Sequence, residues 1–163
     1  MQPSCDGSRV HLFFFGRKVF LSNSFSSPIN IDGLAFTSAE QAYQYKKAKF
    51  FGDDETANKI LGMTNAADMA MAGWHVMLSN KNSLWNAIAK DVMTEIITAK
   101  FMQNGELGIM LKQTSPCELV EANPFDKYFG NGMNINNDNN NCFHNWSGQN
   151  VTGKILESIR SEL

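Results

Sequence analysis

Glu40, Tyr43 and Lys47 stand at i, i+3 and i+7 in a stretch that reads as a helix, so an acid, a phenol and an amine share one face. A carboxylate in such company can stabilise a developing cation or activate water. The sequence also offers Glu40 a purely structural task. Thr37 with Glu40, or Ser38 with Gln41, has capping-box spacing, and an acid in that box needs no further function. A second group runs from Glu121 to Gly132 and includes Asp126, Tyr128, Phe129 and Gly130. Acids, aromatics and glycines on a loop between regular elements are where binding residues collect. The structural alternative is that Asn123-Pro124 and Gly130 make turns and Asp126 caps a helix.

Other chemistries find less support. His11, His75 and His144 are dispersed, and none pairs with a cysteine or carboxylate at ligand spacing, so no metal site is expected. Gly148–Lys154 (GQNVTGK) approaches a phosphate-loop pattern, but Ile155 stands where Ser or Thr would hold a metal. No apolar strand leads into it. What remains there is a helix start whose backbone N–H groups are a candidate anion cradle. No G-x-S-x-G elbow is present.

Net charge of -2 and a pI near 5.9 give no global pull toward nucleic acid or membrane. Cys5, Cys117 and Cys142 are odd in number and far apart, which reads as three reduced thiols. The apolar run Leu12–Phe15 is broken by Gly16, Arg17 and Lys18, too short for a membrane span and poorly shaped for a signal peptide. The two sequons at Asn145 and Asn150 are then chance, and a cytoplasmic location is expected.

The elements that must carry these residues follow from pattern. Val10–Phe15 (VHLFFF) predicts a strand, with Ile29–Ile31 a second short one before an Asp32-Gly33 turn. A helix opens at Thr37–Gln41 and stops at Gly52. Further helices are expected over Asp54–Leu61, Ala66–Gly73 and Glu106–Lys112. The longest covers Leu84–Met102, where Trp85, Ile88, Val92, Ile96 and Phe101 recur near a 3.6-residue period. Glu118–Glu121 predicts a return to the sheet, and Val151, Ile155, Ile159 and Leu163 stripe a final helix. Seven Asn among residues 131–141 predict a loop rather than a buried element. With one core over 10–163 and an Asn-rich insertion at 131–147, the expectation is a single domain over 1–163. Its class is α+β, mainly α-helical with a small β-sheet.

Several of these segments fall in the order of one family. Leu21-Ser22-Asn23 precedes Thr37-Ser38-Ala39-Glu40-Gln41-Ala42-Tyr43-Gln44 and Lys47. Then come Trp85, Ala99-Lys100-Phe101 with Gln103, Leu119-Val120-Glu121, Asp126-Lys127-Tyr128-Phe129-Gly130 and Gln149-Asn150-Val151-Thr152-Gly153. Over roughly residues 13–163 the chain resembles the YbiA-like, or NADAR, family. The resemblance implies an N-glycosidase that hydrolyses the bond between ribose C1 and a base nitrogen of a small phosphorylated aminopyrimidine riboside, a riboflavin-pathway intermediate. It also implies an alternative, removal of ADP-ribose from guanine in DNA, with ADP-ribosylated DNA as partner. A non-catalytic ADP-ribose or nucleotide-binding module is a third reading.

The resemblance assigns roles residue by residue. Glu40 faces C1 as stabiliser or general base, and Asp126 positions ribose hydroxyls or shares the acid–base work. Trp85 and Phe129, with Tyr43 nearby, stack on the base, although Trp85 on an amphipathic helix also reads as core. Lys47 and the backbone near Asn150 hold phosphate, and Glu121 and Gly130 complete the binding set. Neither cofactor nor metal is required. The chain departs from the family pattern at Phe129, where Trp is usual, at Gln149, where a basic residue is usual, at Trp74, where Arg is frequent, and in its long Asn-rich loop. These positions bear on substrate choice and phosphate contacts.

Overall fold

The computed structural model describes residues 1–75 and 82–163, with the side chains of Ala66, Ala67, Trp74, His75 and Asn82 outside that description. The expectation attached to Trp74 therefore lies outside the described residues. The chain divides into two compact units, one of residues 1–22 with 105–163 and one of residues 23–104.

In the first unit, β2 (Val10–Phe14) pairs antiparallel with β1 (Gln2–Pro3) and parallel with β5 (Glu118–Glu121). The register sets Phe14 opposite Glu121. Helices α5 (Gly105–Gln113) and α6 (Val151–Glu162) belong to this unit, and α6 packs on β5 through buried Val151, Ile155, Leu156 and Ile159. The predicted strand at 10–15 and the return at 118–121 both form. The two-residue strand β1 is additional, too short to leave a pattern.

In the second unit, β3 (Ile29–Ile31) and β4 (Leu34–Phe36) form a hairpin, so there are two small sheets rather than one. Asp32 and Gly33 between them have φ of 54° and 80°, and such a two-residue turn matches the twist of the strands it joins. Helix α1 (Ala39–Phe51) ends on Gly52, whose φ of 76° is the left-handed stop glycine adopts readily. Helices α2 (Asp54–Leu61), α3 (Ala66–His75) and α4 (Asn82–Gln103) follow. Ala39, Ala42 and Ala48 are fully buried on α1, small enough to let its neighbours approach closely.

The buried stripe of α4 is Trp85, Ala89, Met93, Ile96, Ile97, Lys100 and Phe101. Ile88 and Val92, expected in that stripe, flank it instead, Ile88 at 36% exposure. Ala89 contributes little to an apolar pattern, yet its small side chain suits the closest helix approach. The Lys100 ammonium is wholly buried and lies 5.1 Å from the Phe101 ring centre and 5.7 Å from that of Phe25, a cation over aromatic faces.

Two expectations are corrected. Cys5 and Cys142 are joined as a disulfide with Cα atoms 5.1 Å apart, leaving Cys117 as the buried free thiol. A sequence separation of 137 residues carries no sign of such pairing. The Asn-rich segment is a folded loop with buried members. Asn131 donates to Asn140 Oδ1 at 2.6 Å, both are buried, and Trp146 Nε1 donates to the Asn140 carbonyl at 2.8 Å. Asn side chains satisfy one another and the backbone, so a polar stretch becomes ordered without an apolar core. Among the described residues no helix is long and apolar enough to cross a membrane.

Candidate active site

Ser38, in extended conformation, caps α1 by accepting from the Gln41 N–H at 3.2 Å. Gln41, not Glu40, therefore holds the third helical position of the capping box. Its Oε1 takes the Thr37 N–H and hydroxyl at 2.7 and 3.0 Å. Its Nε2 reaches the carbonyls of Ile60, Leu61 and Met63 at 2.9–3.2 Å, which ties the end of α2 to the start of α1. The structural task that the sequence offered Glu40 thus falls on its neighbour. Glu40 keeps its own N–H bonded to the Asn23 carbonyl at 2.9 Å and leaves its carboxylate half-buried in the first turn.

Around that carboxylate the helix places polar groups at the expected spacings. Gln44, one turn on, donates from Nε2 to Glu40 Oε1 at 2.8 Å and is itself buried. Lys47, two turns on, is 5% exposed. Burial holds its ammonium below the ordinary lysine value, and the Glu40 charge pushes it back up. Tyr43 accepts from Trp85 Nε1 at 3.1 Å, with ring centres 5.4 Å apart. Glu40, Tyr43 and Lys47 thus lie together on α1. Trp85, 3% exposed and packed against Tyr43, Phe50 and Phe51, is a core residue that fixes the phenol.

The buried amine makes a prediction about pH. The folded value is the lower one, so between it and the ordinary lysine value the unfolded chain binds more protons. The burial cost is fully present at lower pH and is relieved as pH rises through that alkaline window. In Lys47→Met, urea unfolding at stepped pH should show a flatter rise across the window than wild type. An identical slope would exclude a shifted Lys47.

A cavity of about 480 Å³, open to solvent, lies elsewhere on α1. Leu34, Phe36, Tyr45, Lys46, Phe50 and Trp85 line it, and Glu40, Gln44 and Lys47 do not. Its two lysines are neutralised locally, Lys46 by Asp32 and Glu95 and Lys49 by Asp54.

The remaining expected site residues fall in the first unit. Asp126 Oδ1 accepts the N–H groups of Tyr128 and Phe129, both at 2.8 Å, which forms a tight turn. Its second oxygen has no protein hydrogen bond among the described residues. Phe129 is half-buried beside the Tyr128 ring, with centres 4.9 Å apart. Gly130 is dictated by packing, because a Cβ there would come within 2.8 Å of Asn123 Cβ and of the Asp126 carbonyl. Glu121 ends β5 with its side chain 9% exposed.

Asn150 is committed to the fold. With φ of 51° it aims its carboxamide at β5, donating to the Leu119 carbonyl at 2.8 Å and accepting from the Glu121 N–H at 2.9 Å. The backbone N–H groups of residues 148–152 donate to carbonyls of residues 127–131 at 2.9–3.2 Å. The anion cradle expected at the start of α6 is thus occupied by the chain's own loop. Among the described residues no group of three or more His, Cys, Asp or Glu is placed to hold a metal.

Sequence reasoning missed Gln44 as the neighbour of Glu40 and Gly73 as the neighbour of Gln44. For Gln44 the signal was available, since i+4 is as close a helical neighbour as i+3. Gly73 is two elements away in chain order and left no local sign.

Comparison with known proteins gives this geometry a family. Residues 11–163 match the family model described as NADAR domain. Protein irg-1 of Caenorhabditis elegans is 36% identical over 131 residues, 80% of this chain, which spans 62% of that protein's length. N-glycosidase R617 of Acanthamoeba polyphaga mimivirus is 34% identical over 127 residues, 78% of this chain and 74% of the viral protein. Riboflavin biosynthesis protein VVA0006 of Vibrio vulnificus is 30% identical over 144 residues, 88% of this chain and 35% of that protein. The solution structure of Escherichia coli YbiA superposes with a TM-score of 0.74 at 25% identity, covering 94% of this chain and 84% of YbiA. An α+β, mainly helical fold, a match across nearly the whole chain and a solved structure of the same fold make this chain a member of the NADAR domain family.

Proposed function

We propose that the protein is an N-glycosidase that hydrolyses a ribosyl C1–N bond of a phosphorylated aminopyrimidine riboside, with Glu40 as its central carboxylate. The observation that carries this reading is the division of labour at the start of α1. Gln41 does the capping, and Glu40 is left half-buried with Gln44 bonded to it and a buried Lys47 on the same helix. Relatives named N-glycosidase support the reaction class, and the riboflavin-named relative supports a metabolite as substrate.

Cleavage passes through an oxocarbenium-like sugar, which needs negative charge near C1 and activated water. Glu40 supplies the charge and accepts the water proton. The C1–N electron pair leaves with the nitrogen, which takes a proton, and the water oxygen ends on C1. Tyr43, on the same helix as Glu40, is held by the hydrogen bond it accepts from Trp85. Lys47, also on that helix, holds phosphate.

The test is to incubate the protein separately with a phosphorylated aminopyrimidine riboside and with guanine-ADP-ribosylated DNA. Mass spectrometry then follows released ribose phosphate or ADP-ribose. Release from the riboside alone is expected. Release from the DNA alone would move the activity to reversal of DNA modification. No release from either, with ADP-ribose still bound, would make this a binding module and overturn the enzymatic reading.

A further inference from the structure

Gln44 is 8% exposed and lies between two groups that leave its carboxamide little freedom. On one side its Nε2 donates to Glu40 Oε1 at 2.8 Å. An ionised carboxylate only accepts, so this contact turns the NH₂ toward Glu40 and the carbonyl oxygen away from it. On the other side stands Gly73 of α3. A Cβ built on Gly73 would lie 1.7 Å from Gln44 Oε1, 2.5 Å from Cδ and 3.3 Å from Cγ. The Gln44 side chain thus fills the volume that any side chain at position 73 would need.

Gln44 Oε1 is buried and has no hydrogen-bond partner among the described residues. The carboxamide is therefore held by one hydrogen bond and by the wall at Gly73, not by a second polar contact. Glycine inside a helix is a weaker helix former than alanine, so its presence in α3 calls for a reason. The volume taken by Gln44 supplies one.

We propose that Gln44, backed by Gly73, is a positioning residue that fixes the orientation of the Glu40 carboxylate. This rests on Glu40 being the catalytic acid. A long side chain in the first turn of a helix has three rotatable bonds, and a reacting carboxylate must be held within a fraction of an ångström of its working place. The glutamine removes that freedom by holding Glu40 Oε1 in one place. Gly73 contributes by admitting the glutamine, without touching Glu40 or substrate.

The test is a double-mutant cycle on kcat and KM with Gly73→Ala, Gln44→Ala and the pair, beside Gln44→Met, which keeps the volume and loses the donor. Gly73→Ala, Gln44→Ala and Gln44→Met should each lower kcat about 10- to 100-fold, and KM should stay within roughly twofold. In the Gln44→Ala background, Gly73→Ala should cost nothing further, because its Cβ enters vacated space. A Gly73→Ala penalty of the same size with and without Gln44 would overturn the proposal, as would a Gln44→Met enzyme with wild-type kcat.

If Gly73→Ala fails to fold, Gln44→Met still decides. If Glu40→Gln keeps wild-type turnover, it is the reading of Glu40 that has failed. Positioning is then read from the ¹³C shift of the Glu40 carboxyl in wild type and Gln44→Met. A moved resonance keeps the positioning role, and an unmoved one removes it.

Discussion

Glu40→Gln is expected to lower kcat by roughly 10²–10⁴-fold, the range for loss of a group that moves a proton in the transition state. The change removes charge and almost nothing else. The new carboxamide offers Gln44 Nε2 an oxygen in the same place, so the 2.8 Å hydrogen bond has an acceptor in the variant. Ser38 and Gln41 carry the cap without Glu40, so α1 begins as before. KM should change little, because stabilising C1 matters at the transition state and not in the bound ground state. The electrostatic partner that raises Lys47 disappears, so burial acts on that amine alone and its ionisation moves further down. Steady-state kinetics with an NMR titration of Lys47 reads both effects. Turnover within a few-fold of wild type would remove Glu40 from the mechanism.

Gly153→Ala is expected to cost about 3 kcal/mol of stability, at the upper end of overpacking effects. Gly153 lies where α6 meets β5. A Cβ there would sit 1.9 Å from the Leu119 carbonyl oxygen and 2.5–2.8 Å from both polar atoms of the Asn150 carboxamide. Backbone cannot yield as a surface side chain does, so α6 must shift or Asn150 must swing. Either strains the two hydrogen bonds by which Asn150 closes on β5, in a buried setting where lost partners are not replaced by water. In a chain of this size about 3 kcal/mol lowers the melting midpoint by roughly 10 °C. Gly105→Ala is the control, since it has open space around its Cβ and an ordinary φ. Calorimetry should find Gly105→Ala close to wild type, and equal midpoints for the two variants would show that the α6–β5 approach is not tight.

Much of the fold was legible because it is written in local patterns. The β-branched and aromatic run at residues 10–14 became a strand, a helix formed over the predicted Asp54–Leu61, and Gly52 ended α1. Tertiary packing decided what was not legible. The burial of Ala89 and Met93 in place of Ile88 and Val92 depends on which side of α4 its neighbours approach. The Cys5–Cys142 pairing joins chain ends that no periodicity relates. The ordering of the Asn-rich loop depends on mutual hydrogen bonds between residues nine apart, Asn131 and Asn140.

The same division runs through the candidate site. That Glu40, Tyr43 and Lys47 share a helix follows from spacing alone. Two equivalent spacings, Thr37 with Glu40 and Ser38 with Gln41, left the cap open, and only the position of the α2 carbonyls settles it on Gln41. Asn150 reads as a binding residue in sequence because it opens a helix behind glycines. Its left-handed backbone and its bonds to β5 show why an asparagine is needed there for the fold itself. Trp85 likewise reads as stacking surface until its burial and its bond to Tyr43 are seen.

The most direct test of ribosyl transfer to water is single-turnover cleavage of the phosphorylated aminopyrimidine riboside in H₂¹⁸O, with Glu40→Gln alongside. The expected result is one ¹⁸O atom on the released ribose phosphate, none on the base, and no product from the variant. Label on the base would place the attack on the ring carbon, and label on the sugar from an equally active variant would put the chemistry outside Glu40.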